Sequence, residues 1–162
     1  MKRPESSAAL WGQNDGVSSL QRKAEVGVFQ CLISSASKTR RNLISDAAND
    51  VGWETVVCPA FDNALSELKN SRFQFAMVDL DDRGETPQGA RKLVQSLVQD
   101  TSQILVGVCG HEANPEEEIW VRQLGIWLYL PGVTTSSEIA VLCEHAMQIV
   151  TERGLGEELS VS

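Results

Sequence analysis

Between residues 26 and 152 the hydrophobic pattern switches five times from a short apolar run to a helical stripe. The runs fall at 28–33, 55–58, 75–80, 104–109 and 126–130. Each has the length of a buried strand, and such unbroken apolarity suits parallel strands covered on both faces. Stripes at helical spacing fill the gaps. Leu43, Ile44, Ala47, Ala48 and Val51 form the first, closed by Gly52, and Phe61, Ala64, Leu65 and Leu68 form the second. Ala90, Leu93, Val94, Leu97 and Val98 form the third, and Trp120, Val121 and Leu124 the fourth. Asn114 is placed to cap the fourth helix, with Pro115 in its first turn and Glu116, Glu117 and Glu118 complementing the dipole. Ile139, Leu142, Cys143, Ala146 and Val150 form the fifth, with Thr135 and Glu138 at capping-box spacing.

Five strand–helix units with short links predict one doubly wound α/β domain, an open five-stranded parallel sheet with helices on both faces. Residues 1–25 and 153–162 lack this periodicity and read as flexible tails around a domain spanning 26–152. Leu10, Trp11 and Leu20 stand out in the first tail as residues that either dock on the domain or stay in solvent.

Composition narrows the function. A formal net charge of −8 and a pI near 4.7 oppose binding to nucleic acid and to anionic membranes. No apolar run approaches the ~20 residues that span a bilayer, and the N-terminus has no secretory pattern. Cys31, Cys58, Cys109 and Cys143 each sit in an apolar run, which predicts buried thiols in a reducing cytoplasm and neither disulfides nor a zinc site.

In an open parallel sheet the crevice lies beyond the carboxyl ends of the strands. There the chain carries ISSASKTRRNL after strand one, FAMVDLDD at strand three, Cys109-Gly110-His111-Glu112 after strand four and YLPG at strand five. In that register the stretch 28–150 resembles the receiver domain of bacterial response regulators, which implies its flavodoxin-like, CheY-like three-layer architecture with the strand order 2-1-3-4-5. The resemblance implies that Asp79 is the phosphoacceptor. It also implies that Ser34 and Ser35 stand where two acidic residues normally help to hold Mg²⁺, Cys109 where a Ser or Thr bonds the phosphoryl group, and Leu130, before Pro131, where a Lys pairs with it. Trp127, with Tyr129 as the alternative, takes the place of the switch aromatic. The Pro that usually follows the acceptor is missing near Arg83, and the loop RGETPQG is longer than usual.

These departures carry a physical cost. A phosphoryl group in transfer spreads negative charge that Mg²⁺ offsets, and Mg²⁺ prefers carboxylates to neutral hydroxyls. Leu makes no charge-assisted bond, and a thiol is a weak donor. Asp81 and Asp82, with Glu85, offer a makeshift cation site beside Asp79, or simply a solvated acidic loop. Lys38, Arg40 and Arg41 offer a replacement positive charge, or simply face solvent.

Other sites are weaker. His111 near Cys109 and Glu112 matches no common zinc spacing and reads as a loop histidine without a role. His145, two residues from Cys143 on one helix, points to the surface. The run SSASKT invites comparison with the phosphate loop of flavodoxins, but it has no Gly for close backbone approach. No Gly-x-Gly-x-x-Gly marks a dinucleotide site. Trp120, Trp127 and Tyr129 cluster on helix four and strand five, either as core or as a partner-binding face.

The expectation is therefore a degenerate receiver-like domain, not an enzyme and without catalytic residues, that signals in the cytoplasm through a protein partner. That partner is a histidine kinase, another signalling protein or a second copy. No cofactor is expected, and Mg²⁺ binding should be weak or absent. The alternatives are an atypical regulator phosphorylated on Asp79 and an FMN-binding protein using the same crevice.

Overall fold

The computed structural model describes residues 29–80, 87–100, 103–111, 114–132 and 135–161. The strands are β1 (Gln30–Ser34), β2 (Glu54–Cys58), β3 (Phe75–Asp79), β4 (Leu105–Gly110) and β5 (Leu128–Pro131). They pair in parallel, as the alternating pattern predicts, and in the order β2-β1-β3-β4-β5 that the receiver resemblance implies. The helices are α1 (Lys38–Val51), α2 (Phe61–Asn70), α3 (Pro87–Asp100), α4 (Pro115–Gln123) and α5 (Ser136–Val161).

Local signals set the helix ends. Ser37 is extended and its Oγ accepts from Arg40 N, starting α1. Gly52 closes that helix at φ 118°, a left-handed conformation that costs little without a Cβ, and donates to Ala48 O and Asn49 O. Asn114 Oδ1 accepts from Glu117 N at 3.1 Å ahead of Pro115. Thr135 and Glu138 form the expected reciprocal box: Glu138 N donates to Thr135 Oγ1 at 3.2 Å and Thr135 N donates to Glu138 Oε1 at 3.0 Å.

The last helix runs on to Val161, so residues 153–161 are helical where the sequence reads as a tail. A helix already nucleated adds each residue cheaply, and the two glycines there cost only about 1 kcal/mol each. Arg153 Nη1 also donates to Gln103 O at 2.8 Å, tying this stretch to the turn before β4. The expected N-terminal tail, with Leu10, Trp11 and Leu20, lies outside the described residues.

Two cores sandwich the sheet. Leu32, Ala76, Val78, Val106, Val108 and Tyr129 meet α2, α3 and α4 on one face. Cys31, Ile33, Phe75, Met77 and Cys109 meet α1 and α5 on the other. β3 and β4 are buried along their whole length, which is why their sequences lack polar alternation. On the α1–α5 face Phe29, Trp53, Phe75 and Trp127 form a chain of rings with centroids 5.9, 5.3 and 5.8 Å apart. Trp53 Nε1 donates to Cys143 O at 2.9 Å, fastening α5 over the rings. All four cysteines are free and buried. Burial pushes Cys58 up to about 11 and Cys109 and Cys143 up to about 12, so they remain thiols.

Candidate functional site

The strand order reverses between β1 and β3, and the crevice this opens lies beyond their carboxyl ends. Asp79 closes β3 there, 3% exposed. Ser35, one residue past β1, donates from Oγ to Asp79 Oδ2 at 2.7 Å. Ser37 N in turn donates to Ser35 Oγ at 3.1 Å, which fixes the hydroxyl. Ser34, buried as the last residue of β1, lies in register with Val78 and Cys58 and does not hydrogen-bond Asp79.

The other oxygen of Asp79 is held by a cation from within the chain. Arg40 Nη1 lies 2.8 Å from Asp79 Oδ1, with the carboxylate fully buried and the Arg side chain 20% exposed. Arg41 Nη1 donates to Ser35 O at 2.8 Å and braces the same loop, whereas Lys38 is exposed. Of the three cations that could face solvent, two therefore turn inward. Arg40 stands four residues before buried Ile44, so it extends the inward stripe of α1 past the end of the sheet. That spacing was the available signal.

Cys109 faces Asp79 in the β3–β4 register, and Leu130 faces Cys109 in the β4–β5 register. Leu80 N donates to Cys109 O at 2.8 Å, tightening this edge. Burial raises the Cys109 thiol most, and the Asp79 carboxylate raises it further. Leu130 packs against the α1–α5 core, and Pro131, paired with Gly110, is exposed. Asp81 and its neighbours Asp82, Arg83 and Glu85 lie outside the described residues, as does Glu112. Among the described residues no three His, Cys, Asp or Glu side chains gather where a metal ion could be held.

A second polar cluster occupies the adjoining corner, and sequence reasoning missed it. Glu117 on α4 is 3% exposed. Its Oε1 accepts from His111 N at 2.7 Å and from Tyr129 Oη at 2.9 Å, and its Oε2 lies 3.0 Å from His111 Nδ1. Burial alone would raise this carboxyl, but the His111 and Tyr129 hydrogen bonds outweigh it and hold Glu117 below its ordinary value. Burial first and Glu117 second push the Tyr129 hydroxyl well up. His111, expected to have no role, is thus a partner of a buried carboxylate. Three consecutive glutamates at a helix start read as dipole complement, and that hid the one whose position turns it inward.

The three aromatics of helix four and strand five do not form one patch. Tyr129 is buried in the α2–α3–α4 core. Trp120 packs on that same core, with Arg91 Cζ 4.7 Å above its ring. Trp127 packs on the opposite face. Ile119, its neighbour Trp120 being half-buried, is 56% exposed.

The strand order and the helices of the described residues define a doubly wound α/β fold, and solved structures narrow it. No protein-family model and no curated protein sequence matches the chain. The structure is similar to NtrX from Brucella abortus, with a TM-score of 0.71 and 15% identity. The match covers 82% of this chain and 30% of NtrX, so the chain spans under a third of that protein. It is similar to a CheY-like receiver domain protein from Methanospirillum hungatei, with a TM-score of 0.64 and 12% identity over 83% of this chain and 99% of that one. An orphan response regulator of H. pylori gives a TM-score of 0.62 at 18% identity, over 75% of this chain and 96% of that one. The fold of the chain is therefore that of CheY-like response-regulator receiver domains.

Proposed function

We propose that the chain is a receiver-like signalling domain that works through protein–protein contact, with its acceptor pocket neutralised from inside by Arg40. The observation that carries this reading is the arrangement around Asp79: one oxygen bonded by Ser35 at 2.7 Å and the other by a guanidinium at 2.8 Å. A receiver-type pocket needs Asp79 free to attack phosphorus and a divalent ion to gather the charge. Here the nearest β1-end group is a hydroxyl that donates its proton to Asp79, and the position of positive charge beside Oδ1 is taken. Among the described residues, the groups around Asp79 supply fewer oxygen ligands than Mg²⁺ requires at close range.

Leu130 and Cys109 supply neither a cation nor a strong donor at the neighbouring strand ends. The partner is then a signalling protein such as a histidine kinase, or a second copy of the chain, met in one conformation. The test is intact-mass analysis after incubation with acetyl phosphate and Mg²⁺, beside an Asp79→Asn control. No mass gain in the folded protein is expected. Gain of one phosphoryl group that disappears in the control would replace this reading with a regulator phosphorylated on Asp79.

A further inference from the structure

Glu117 is a charged side chain buried to 97% (3% exposed), placed by the first turn of α4, and the proposed acceptor pocket makes no use of it. Its hydrogen bonds reach two other elements: His111, the residue after β4, and Tyr129, inside β5. Its own backbone N–H goes to the helix cap at Asn114. One carboxylate therefore ties together the start of α4, the end of β4 and the middle of β5.

The glycine beside it is shaped to this contact. Gly110 is not among the left-handed glycines, yet a Cβ there would collide with Tyr129 Oη and Glu117 Oε1. It is glycine for space. On the outer side of the same helix, two residues on, Ile119 is 56% exposed and Glu118 pairs with Arg122 at 2.9 Å.

We infer that Glu117 is a positioning residue, a clasp that holds Tyr129 inward and α4 against the β4–β5 edge, so that the outer face bearing Ile119 is presented in one fixed orientation. Removing the clasp leaves the Tyr129 hydroxyl and the His111 amide without their buried acceptor, and both then gain by turning toward water. The inference deepens the proposed signalling reading, on which it rests for its consequence: the geometry of this corner does not depend on a chemical event at Asp79.

Tyr129 is the single tyrosine of the chain, so its ring signals in a tyrosine-labelled sample report on this corner alone. The experiment compares the full chain with Glu117→Ala, Glu117→Gln and Gly110→Ala by NMR and amide exchange, with no phosphodonor present. Its failure and the failure of the Asp79 reading are thereby separate results. In the unaltered chain one tyrosine environment and a protected His111 amide are expected. In Glu117→Ala the His111 amide should exchange ~10-fold faster or more, and the Tyr129 signals should move toward those of a solvated ring.

Glu117→Gln, whose amide oxygen can accept from the same two donors, should restore both readouts. Gly110→Ala should reproduce the loss with Glu117 intact. Unchanged readouts in Glu117→Ala, or equal loss in Glu117→Gln and Glu117→Ala, would overturn the inference. If Glu117→Ala does not fold, Tyr129→Phe keeps the ring and removes one arm of the clasp. Unchanged exchange across α4 in that variant would overturn the inference as well.

Discussion

Two buried carboxylates stand at the carboxyl edge of the sheet and are held by opposite means. Asp79 is balanced by charge, through Arg40, with one hydroxyl in support. Glu117 is balanced by hydrogen-bond donors, from one backbone amide, one phenol and one imidazole. The first lies at the crevice beyond β1 and β3. The second closes a corner and joins three elements. The contrast shows that a buried carboxylate can mark an opening that has been plugged or a joint that has been made, and only its partners tell which.

The strongest way to break the comparison is to remove the plug. Arg40→Ala removes the guanidinium 2.8 Å from the buried Asp79 carboxylate, and loss of one member of such a pair costs about 3 kcal/mol. Urea denaturation should show a fall of that order in unfolding free energy. A change below ~1 kcal/mol, typical of exposed pairs, would place Arg40 among ordinary surface charges. In an Arg40→Ala background, Asp79→Asn should recover part of the loss, because the buried charge is gone.

The Glu117 corner should respond to pH instead. Its carboxyl is held below the ordinary 4.5, so the contribution of the clasp is fully present above about 4.5 and is lost as pH falls through the folded value. His111 and Tyr129 face the carboxylate directly, and Glu118 and Arg122 on the same helix act on Tyr129. Comparing urea midpoints at neutral and acid pH, Glu117→Gln should lose less stability on acidification than the unaltered chain. An identical acid limb in both proteins would assign the acid sensitivity elsewhere.

The smallest effect belongs to Cys109, which lies between the two corners, in register with Asp79 on one side and Leu130 on the other. With its thiol pushed up to about 12 and its side chain buried, it should not react with a thiol reagent at pH 8 unless the fold opens. Labelling followed by mass should be faster in Arg40→Ala than in Glu117→Ala, because Asp79 is the direct strand neighbour of Cys109. The reverse order would show that the clasp, not the plug, seals this edge.

Much of the frame was legible in the chain. Short apolar runs and period-3.6 stripes are local properties, so the strands and helices of the described residues and the caps at Asn114 and Thr135 follow from neighbouring residues. The position of Asp79 at the end of β3 and of Ser35 just beyond β1 also follows, because a buried apolar run can end in a polar residue only at the rim of the sheet. The link from Arg40 to Asp79 crosses 39 positions, and nothing local selects Arg40 over Lys38 or Arg41 except its phase with Ile44.

The sequence by itself determined the alternation of elements, the apolar faces and the presence of an acid, Asp79, at the end of the third strand. Which charges turn inward was decided only by the tertiary structure. Arg40, Glu117, His111 and Tyr129 read in the chain as one of three cations that either replace a missing charge or face solvent, a dipole-complementing acid, an idle histidine and one of three aromatics. They meet at Asp79 and at Glu117 because the strands bring their loops within hydrogen-bonding distance. A buried charge is tolerated only where such partners converge, and convergence is a property of the assembled sheet.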